Sequence, residues 1–186
     1  MLRPSLSQLQ KCTDLIGVEV GVWEGANAVT ICEELNIKIL YLVDPYVNFP
    51  SASGIGEVSL EVVQAALAVA KQQLAKFSDK TVFIQESSLD AYKRFSDKSL
   101  DFVYLDGDHR YEIVRRELDL YYPLVRIGGL FAGHDFSHAQ NGPQRAVAGF
   151  CSKHKIQSIF SAPDNQPDKR GIPSRDWWIW KEEEIL

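Results

Sequence analysis

The chain has 186 residues, of which 45% are hydrophobic and 24% charged, a composition typical of a globular protein. A formal charge of −5 without any run of Lys or Arg argues against a nucleic-acid or anionic-membrane binder, which usually carries a basic stripe. Three widely spaced cysteines, no signal-like N-terminus and no apolar run near ~18 residues predict a cytoplasmic protein with free thiols.

Strand-like and helix-like segments alternate along the chain, which predicts a mostly parallel sheet covered by helices. The predicted strands are Leu15–Val22, Ile37–Val43, Thr81–Gln85, Leu100–Leu105, Gly129–Gly133, Ile156–Phe160 and Asp176–Lys181. The predicted helices are Ala26–Leu35, Val58–Phe77, Leu89–Phe95, Tyr111–Leu120 and Pro143–His154. The Pro-, Gly- and Ser-containing segments Pro45–Glu57 and Ser161–Ser174 predict loops. No internal boundary is evident, so residues 1–186 are predicted to form one domain.

The first predicted strand runs into a turn with spaced glycines, Gly17–Gly25. A strand–turn–helix unit of this kind binds adenosine-containing ligands at the edge of an α/β sheet. A dinucleotide site needs a glycine where this chain has Trp23, because the backbone there approaches the pyrophosphate. The turn therefore favours a nucleoside without phosphates, such as S-adenosylmethionine, and Asp44 at the tip of the second strand would accept hydrogen bonds from its ribose. The alternative is an ordinary tight turn.

Acidic and histidine side chains follow the fourth and fifth predicted strands. Asp106 ends the fourth strand, and His134 and Asp135 leave the fifth. Because the carboxyl ends of parallel strands meet at one edge of the sheet, where open α/β folds bind ligands, we expect these side chains to lie together. Two carboxylates and an imidazole, completed by water, would suit a hard divalent cation such as Mg²⁺. A hydrogen-bonded acid–histidine cluster without metal is the alternative.

Two histidines near this edge are candidate general bases. His109 lies three residues after Asp106, and His138 three residues after Asp135. An imidazole with an unperturbed pKa of ~6.5 can accept a proton at neutral pH. For each of them, a surface or structural role is the alternative.

Taken together, these motifs resemble class I S-adenosylmethionine-dependent methyltransferases. More narrowly, they resemble the group that includes cephalosporin-hydroxylase-type and macrocin O-methyltransferase-type enzymes. VEVGVWEG is similar to the first motif of that family, and YLVDPY to the strand that ends in the ribose acid. The block FVYLDGDHRYEIVRRELDLYYPLVRIGGLFAGHDF is similar to its fourth-to-fifth-strand region. The resemblance extends from Gly17 to His154.

The resemblance implies a Rossmann-like, seven-stranded sheet in the order 3-2-1-4-5-7-6 with the last strand antiparallel. It implies cofactor contacts at the strand tips by Glu19, Gly21, Gly25, Asp44, Glu86, Ser87, Ser88 and Asp106. In relatives that use a metal, acids after strands four and five coordinate magnesium, which corresponds to Asp106 and Asp135 here. His134 stands where those relatives often have a further acid, which puts the metal in question.

The activity implied is methylation of an oxygen on a small hydroxylated molecule, such as a sugar or a secondary metabolite. A cation between Asp106 and Asp135 would lower the pKa of the acceptor hydroxyl. Residues 1–14 are too few for a separate cap domain, so enclosure of the acceptor would depend on the Pro45–Glu57 loop or on the second subunit of a homodimer. The competing interpretations are a nucleotide-binding oxidoreductase, disfavoured by Trp23, and a non-catalytic relative with a vestigial cofactor pocket.

Overall fold

The computed structural model describes residues 1–50, 57–137, 141–167 and 173–182. Its strands are β1 (Leu15–Val20), β2 (Ile37–Val43), β3 (Phe49–Pro50), β4 (Glu57–Val58), β5 (Thr81–Ile84), β6 (Leu100–Leu105), β7 (Val125–Gly133), β8 (Phe160–Pro167) and β9 (Pro173–Trp180). Its helices are α1 (Ala26–Glu34), α2 (Leu60–Leu74), α3 (Ser88–Ala91), α4 (Tyr111–Tyr121) and α5 (Asn141–Lys153), with short 3-10 turns at Leu6–Leu9, Ala75–Phe77, Tyr92–Arg94 and Tyr122–Leu124. Within these ranges, no helix combines the length and the apolar character needed to cross a bilayer.

The main sheet of the described chain has seven strands in the order β5-β2-β1-β6-β7-β9-β8, and β3 and β4 pair separately as a two-stranded hairpin. The pairs from β5 to β7 are parallel. β9 is antiparallel to both of its neighbours, β7 and β8. Numbering only the seven sheet strands along the chain gives 3-2-1-4-5-7-6. This order confirms the predicted Rossmann-like fold class.

The sheet buries apolar side chains on both of its faces. On β6, Phe102 and Tyr104 belong to one core, while Val103 and Leu105 belong to the other. This alternation follows from the two-residue period of a strand. One core packs under α1, α2 and the N-terminal segment, and the other packs under α4 and α5. The near-continuous apolar run of β6 is therefore explained by its burial on both faces.

The N-terminal segment, residues 1–14, is fixed to the sheet close to the tip of β7. The backbone N–H and the hydroxyl of Ser5 both donate to Oδ2 of Asp176, at 3.0 and 2.6 Å. The hydroxyl of Tyr104 donates to the other oxygen of the same carboxylate at 2.9 Å. Three leucines of the segment are buried in the first core: Leu2, Leu6 and Leu9. Because Trp177 pairs with Gly133 at the end of β7, the Asp176 anchor lies at the edge that carries the predicted site.

The end of the chain differs from the prediction. A strand was expected at Ile156–Phe160 and a loop at Ser161–Ser174, but β8 begins at Phe160 and continues to Pro167, and β9 begins at Pro173. β8 is an edge strand that pairs with β9 alone, and its register shifts between Pro163 and Pro167. Proline is tolerated on an edge strand at positions whose N–H would point away from the single neighbouring strand. The prolines therefore indicated a loop where the chain forms an irregular edge.

Candidate functional site

The turn after β1 depends on two glycines in the left-handed conformation. Gly21 has φ +86°, and a Cβ atom on it would lie 2.2 Å from the carbonyl oxygen of Asp106. Gly25 has φ +81° and is the N-cap residue of α1. Residues with a side chain rarely adopt such a conformation. The turn thus brings the ends of β1 and β6 together at the edge where open α/β folds bind ligands.

Asp44, at the tip of β2, holds this turn by its carboxylate. Oδ2 accepts hydrogen bonds from the N–H groups of Val22 and Trp23, both at 3.0 Å, and Oδ1 accepts from the N–H of Tyr46 at 3.0 Å. The main chain thus uses three of the roughly four acceptor positions of a carboxylate. No sequence pattern indicates this structural role. A contact between Asp44 and the ribose stays a prediction. It would use the acceptor position of the carboxylate that the main chain leaves open.

Trp23 stands where a dinucleotide motif has glycine, and it adopts the backbone conformation that glycine favours, with φ +50°. Its carbonyl oxygen accepts a hydrogen bond from the hydroxyl of Tyr46 at 2.8 Å. Its indole is 41% exposed and packs edge-on against Phe49 of β3, with 6.2 Å between ring centroids. The bulky side chain therefore lies at the surface of the turn beside the β3–β4 hairpin.

Glu19 is a buried carboxyl group near the end of β1. It is 1% exposed, and Oε1 accepts a hydrogen bond from Nδ2 of Asn27 at 2.9 Å. Among the described residues, Oε2 has no hydrogen-bond partner. Burial raises the pKa of Glu19 to about 8 against the opposing effect of Asn27, and the charge of Asp106 adds to the rise. A buried oxygen without a donor is costly, so Glu19 is suited to a cationic or hydrogen-donating ligand group.

The residues predicted to lie near adenine follow β5, which pairs with β2. Glu86 forms an ion pair with Arg94. The hydroxyl of Ser87 donates to Oδ2 of Asp90 at 2.8 Å, and Ser88 begins α3. The loop thus lies beside the tip of β2, as the fold requires. Its contact with adenine stays a prediction.

Asp106, His134 and Asp135 come together at the tips of β6 and β7, as predicted, with one ligand-type atom of each within 4.8 Å of the others. Nδ1 of His134 lies 3.5 Å from an oxygen of each carboxylate. Nε2 of His109 lies 2.8 Å from Oδ2 of Asp135 and 4.0 Å from Oδ1 of Asp106. The hydroxyl of Ser174 donates to Oδ1 of Asp135 at 2.9 Å. The second candidate base, His138, lies outside the described residues.

The His109–Asp135 contact shifts the pKa of both groups. Burial alone would raise the pKa of Asp135, but hydrogen bonds from His109 and His134 outweigh burial and hold that pKa well below its ordinary range. The hydrogen bond to Asp135 raises the pKa of His109 above 6.5, against the effect of burial. Asp135 is therefore a fixed anion that orients the imidazole of His109.

Arg3 completes the cluster and was not predicted from the sequence. Its Nη1 lies 2.7 Å from Nε2 of His134, and its Nη2 lies 3.8 Å from Oδ2 of Asp106. A guanidinium only donates, so Nε2 accepts and the proton of the neutral ring is on Nδ1, facing the carboxylates. Arg3 and His134 are 131 positions apart in the sequence, so no local pattern indicates their contact. The leucine spacing of the N-terminal segment was the only available hint.

Two influences act on the charge of His134 in opposite senses. Burial disfavours the protonated ring, but the hydrogen bonds to Asp106 and Asp135 outweigh burial and raise its pKa. The charge of Arg3 works against this rise. The two carboxylates thus favour the protonated ring, whereas the 2.7 Å contact with Arg3 requires a lone pair on Nε2, because a guanidinium can only donate.

The donor types of the cluster suit a divalent cation, but the arrangement does not. Carboxylate and imidazole are common ligands of such ions. The guanidinium of Arg3 already contacts His134 and Asp106, while His109 and Ser174 donate to the two oxygens of Asp135. Cationic or donor groups of the chain thus already contact all three candidate ligands, so the residues as placed do not fit a bound metal.

A small cavity beside the cluster contains one further buried acid that was not predicted. Its lining includes Asp106, His109, His134 and Glu117 of α4. Glu117 is 2% exposed, and burial raises its pKa to about 7 against a hydrogen bond from Ser88. In the sequence Glu117 occupies an unremarkable helical position, so only its burial distinguishes it from Glu112 and Asp119, the more exposed acids of α4.

Comparisons with known proteins agree with this geometry. The chain is 26% identical over 163 residues to protein R132 of Acanthamoeba polyphaga mimivirus, covering 82% of this chain and 70% of R132. Its fold is similar to that of the N-methyltransferase NodS from Bradyrhizobium japonicum, solved with S-adenosylhomocysteine, with a TM-score of 0.65, 15% identity, and coverage of 97% of this chain and 89% of NodS. The fold is also similar to that of SMU.1697c from Streptococcus mutans, solved with the same ligand, with a TM-score of 0.62 and 12% identity. This match covers 94% of this chain and 92% of SMU.1697c.

A family model described as a methyltransferase domain matches residues 18–136. The matched region begins in β1, includes the glycine turn and Asp44, and ends just after Asp135. It therefore covers most of the chain and nearly all of the described site. The chain belongs to this methyltransferase domain family.

Proposed function

We propose that this protein is an S-adenosylmethionine-dependent O-methyltransferase that acts on a small hydroxylated acceptor, such as a sugar or a secondary metabolite. The observation that carries the proposal is the position of His109. Its Nε2 lies 2.8 Å from Asp135 and 4.0 Å from Asp106, so an oriented imidazole stands at the sheet edge beside a predicted cofactor residue. An O-methyltransferase needs a base at this place, because a neutral hydroxyl is a weak nucleophile.

The described turn suits the proposed cofactor. Glu19, Gly21 and Gly25 would hold its methionine end. Oε2 of Glu19, which has no hydrogen-bond partner in the described part of the chain, suits an ammonium group. Asp44 would accept hydrogen bonds from the ribose, and the loop that begins with Glu86 would lie near adenine. S-adenosylmethionine, when bound, supplies an electrophilic methyl group. NodS and SMU.1697c, which share the fold, were both solved with the demethylated product, which supports the proposal.

The work of this chain is then alignment and proton removal. His109 accepts the proton of the acceptor hydroxyl, and Asp135 holds the imidazole in position. Asp106 lies between His109 and the glycine turn, so it would border both the acceptor and the cofactor. Bringing the acceptor oxygen to about 3–3.5 Å of the transferred carbon accounts for much of the rate in reactions of this kind. His138 is the second candidate base.

The net charge of the chain and its family resemblance both support a small molecule as the methyl acceptor. The chain carries −5 and no basic run, which disfavours nucleic acid and anionic membranes as partners. The resemblance to cephalosporin-hydroxylase-type and macrocin O-methyltransferase-type enzymes supports a sugar or secondary-metabolite hydroxyl in a cytoplasmic enzyme. Enclosure of the acceptor by a second subunit of a homodimer belongs to the same proposal. Arg3 already contacts two of the three candidate metal ligands, so we assign deprotonation to His109 instead.

Calorimetric titration with S-adenosylmethionine, S-adenosylhomocysteine and NADH tests the cofactor. We expect binding of the first two and none of NADH. If the folded protein bound neither of the first two, the pocket would be vestigial and the proposal would be overturned. Incubation with S-adenosylmethionine and a panel of sugars and phenols, followed by mass spectrometry, then tests O-methylation. Transfer to amines alone would contradict the assignment of an oxygen acceptor.

A further inference from the structure

We propose that Arg3 is the resident cation of the acid–histidine cluster, so that the site works without a divalent metal. Nη1 of Arg3 lies 2.7 Å from Nε2 of His134, and Nη2 lies 3.8 Å from Oδ2 of Asp106. Both of these residues would be metal ligands if an ion were bound. The consequence for methyl transfer rests on the proposed function, whereas the consequence for metal binding does not.

The cluster requires positive charge that the chain itself supplies. The side chains of Asp106 and Asp135 are 20% and 13% exposed, so two nearby carboxylates have limited access to water. Their charges would repel each other without a cation or donors nearby. The guanidinium of Arg3, 19% exposed, is charged at every accessible pH and offers five N–H donors. It therefore meets the electrostatic requirement that an ion meets in a metal site.

Arg3 is not a loosely placed surface side chain. Ser5, two residues further along, donates twice to the fully buried carboxylate of Asp176, at 3.0 and 2.6 Å. Leu2, directly before Arg3, is 7% exposed in the core. Both sides of Arg3 are thus fixed to the sheet, and its guanidinium is delivered to the tips of β6 and β7.

Arg3 acts here as a positioning residue. Because it donates to Nε2 of His134, it fixes the tautomer in which Nδ1–H faces Asp106 and Asp135. Those two carboxylates in turn border His109. The guanidinium therefore sets the orientation and charge of the groups around the proposed base without a metal ion.

The test is a Mn²⁺ titration followed by electron paramagnetic resonance, in the absence of cofactor and acceptor. It uses the full-length wild type, Arg3→Ala and Arg3→Met, with Lys11→Ala as a control that removes an exposed positive charge from the same segment. We expect weak or no Mn²⁺ binding by the wild type and by Lys11→Ala. Both Arg3 variants should bind Mn²⁺ at least about tenfold more tightly, and Asp135→Asn in the Arg3→Ala background should remove the gain. Arg3→Met keeps an aliphatic stem, which preserves packing if Arg3→Ala folds poorly.

Two results would overturn the inference. One is tight Mn²⁺ binding by the wild type that is lost in Asp106→Asn. The other is no gain of binding in either folded Arg3 variant. Calorimetry with S-adenosylhomocysteine on the same samples distinguishes a failure of the Arg3 inference from a failure of the proposed function. If the wild type bound neither that ligand nor Mn²⁺, and the Arg3 variants gained Mn²⁺ binding, the proposed function would fail while the Arg3 assignment stood.

Discussion

Asn27 donates a hydrogen bond to one oxygen of Glu19, at 2.9 Å, while the other oxygen has no partner among the described residues. A carboxyl group in this position is stable in its neutral form, because burial raises its pKa to about 8. A ligand ammonium placed against the unpaired oxygen would favour the ionised form. We therefore expect binding of the cofactor to be coupled to the loss of a proton from Glu19.

The first prediction is that the affinity for S-adenosylmethionine rises with pH. Below pH 8 the free protein carries the Glu19 proton, which binding must release, so affinity should increase from about pH 6 to about pH 8 and then level off. Calorimetry in two buffers of different ionisation enthalpy measures the protons released. Glu19→Gln is the matched control. Glu19→Gln should bind S-adenosylmethionine more weakly than the wild type does. It should also release fewer protons on binding, because the proton from Glu19 is absent. Equal proton release in wild type and Glu19→Gln would contradict the prediction.

The second prediction concerns the stability of the free protein. The folded pKa of about 8 lies above the ordinary 4.5, so the folded state binds more protons than the unfolded state between these values. Stability from the neutral carboxyl is complete below pH 4.5 and is lost as pH rises through about 8. Relative to wild type, Glu19→Gln should therefore gain on the order of 2–4 kcal/mol between pH 5 and pH 8. Urea unfolding of both proteins at the two pH values measures this gain. The same stability difference between Glu19→Gln and wild type at pH 5 and pH 8 would contradict the prediction.

The third prediction concerns His109 as the base. As a base, His109 would act in its unprotonated form. Because its pKa is raised above 6.5, kcat/KM should fall as pH drops, with a midpoint above 6.5. His109→Gln should lower kcat by about 10²–10⁴-fold without changing the affinity for S-adenosylhomocysteine. Asp135→Asn should move the midpoint downward, because it removes the main cause of the shift. If His109→Gln kept the full rate of the wild type, His109 would not be the base, and His138 would become the candidate.

The fourth prediction tests the glycine turn. Gly21→Ala puts a Cβ atom 2.2 Å from the carbonyl oxygen of Asp106 and requires φ +86° of an alanine. We expect a loss of about 1–3 kcal/mol in stability and a marked loss of cofactor affinity. Gly149→Ala is the matched control, because it lies in α5 with nothing within 4 Å of the added atom. That variant should bind normally and be as stable as the wild type or slightly more stable. Normal cofactor binding by Gly21→Ala would contradict the assigned turn.

Much of the fold was predictable because its signals are local. The apolar run of β6 and the glycines after β1 each report a nearby constraint, and the strand order followed from the family resemblance. The clustering of Asp106 with His134 and Asp135 was predictable because parallel neighbouring strands place their carboxyl ends together. The edge strand β8 was missed because its prolines satisfy the local rule for a loop, while its pairing with β9 is a tertiary effect.

The parts of the site that were not predicted depend on distant or main-chain contacts. Arg3 reaches His134 because its segment is fixed to the sheet by buried leucines and by Ser5, which bonds to Asp176, 171 positions away. Asp44 holds the turn through N–H groups that every residue except proline has, so residue type gave no signal.

Calorimetric titration of the wild-type protein with S-adenosylhomocysteine decides whether this chain has a cofactor site. We expect one site per chain, with affinity reduced in Gly21→Ala and retained in Gly149→Ala. A folded wild-type protein that takes up no S-adenosylhomocysteine, or a Gly21→Ala variant that binds it as tightly as wild type, would contradict the account.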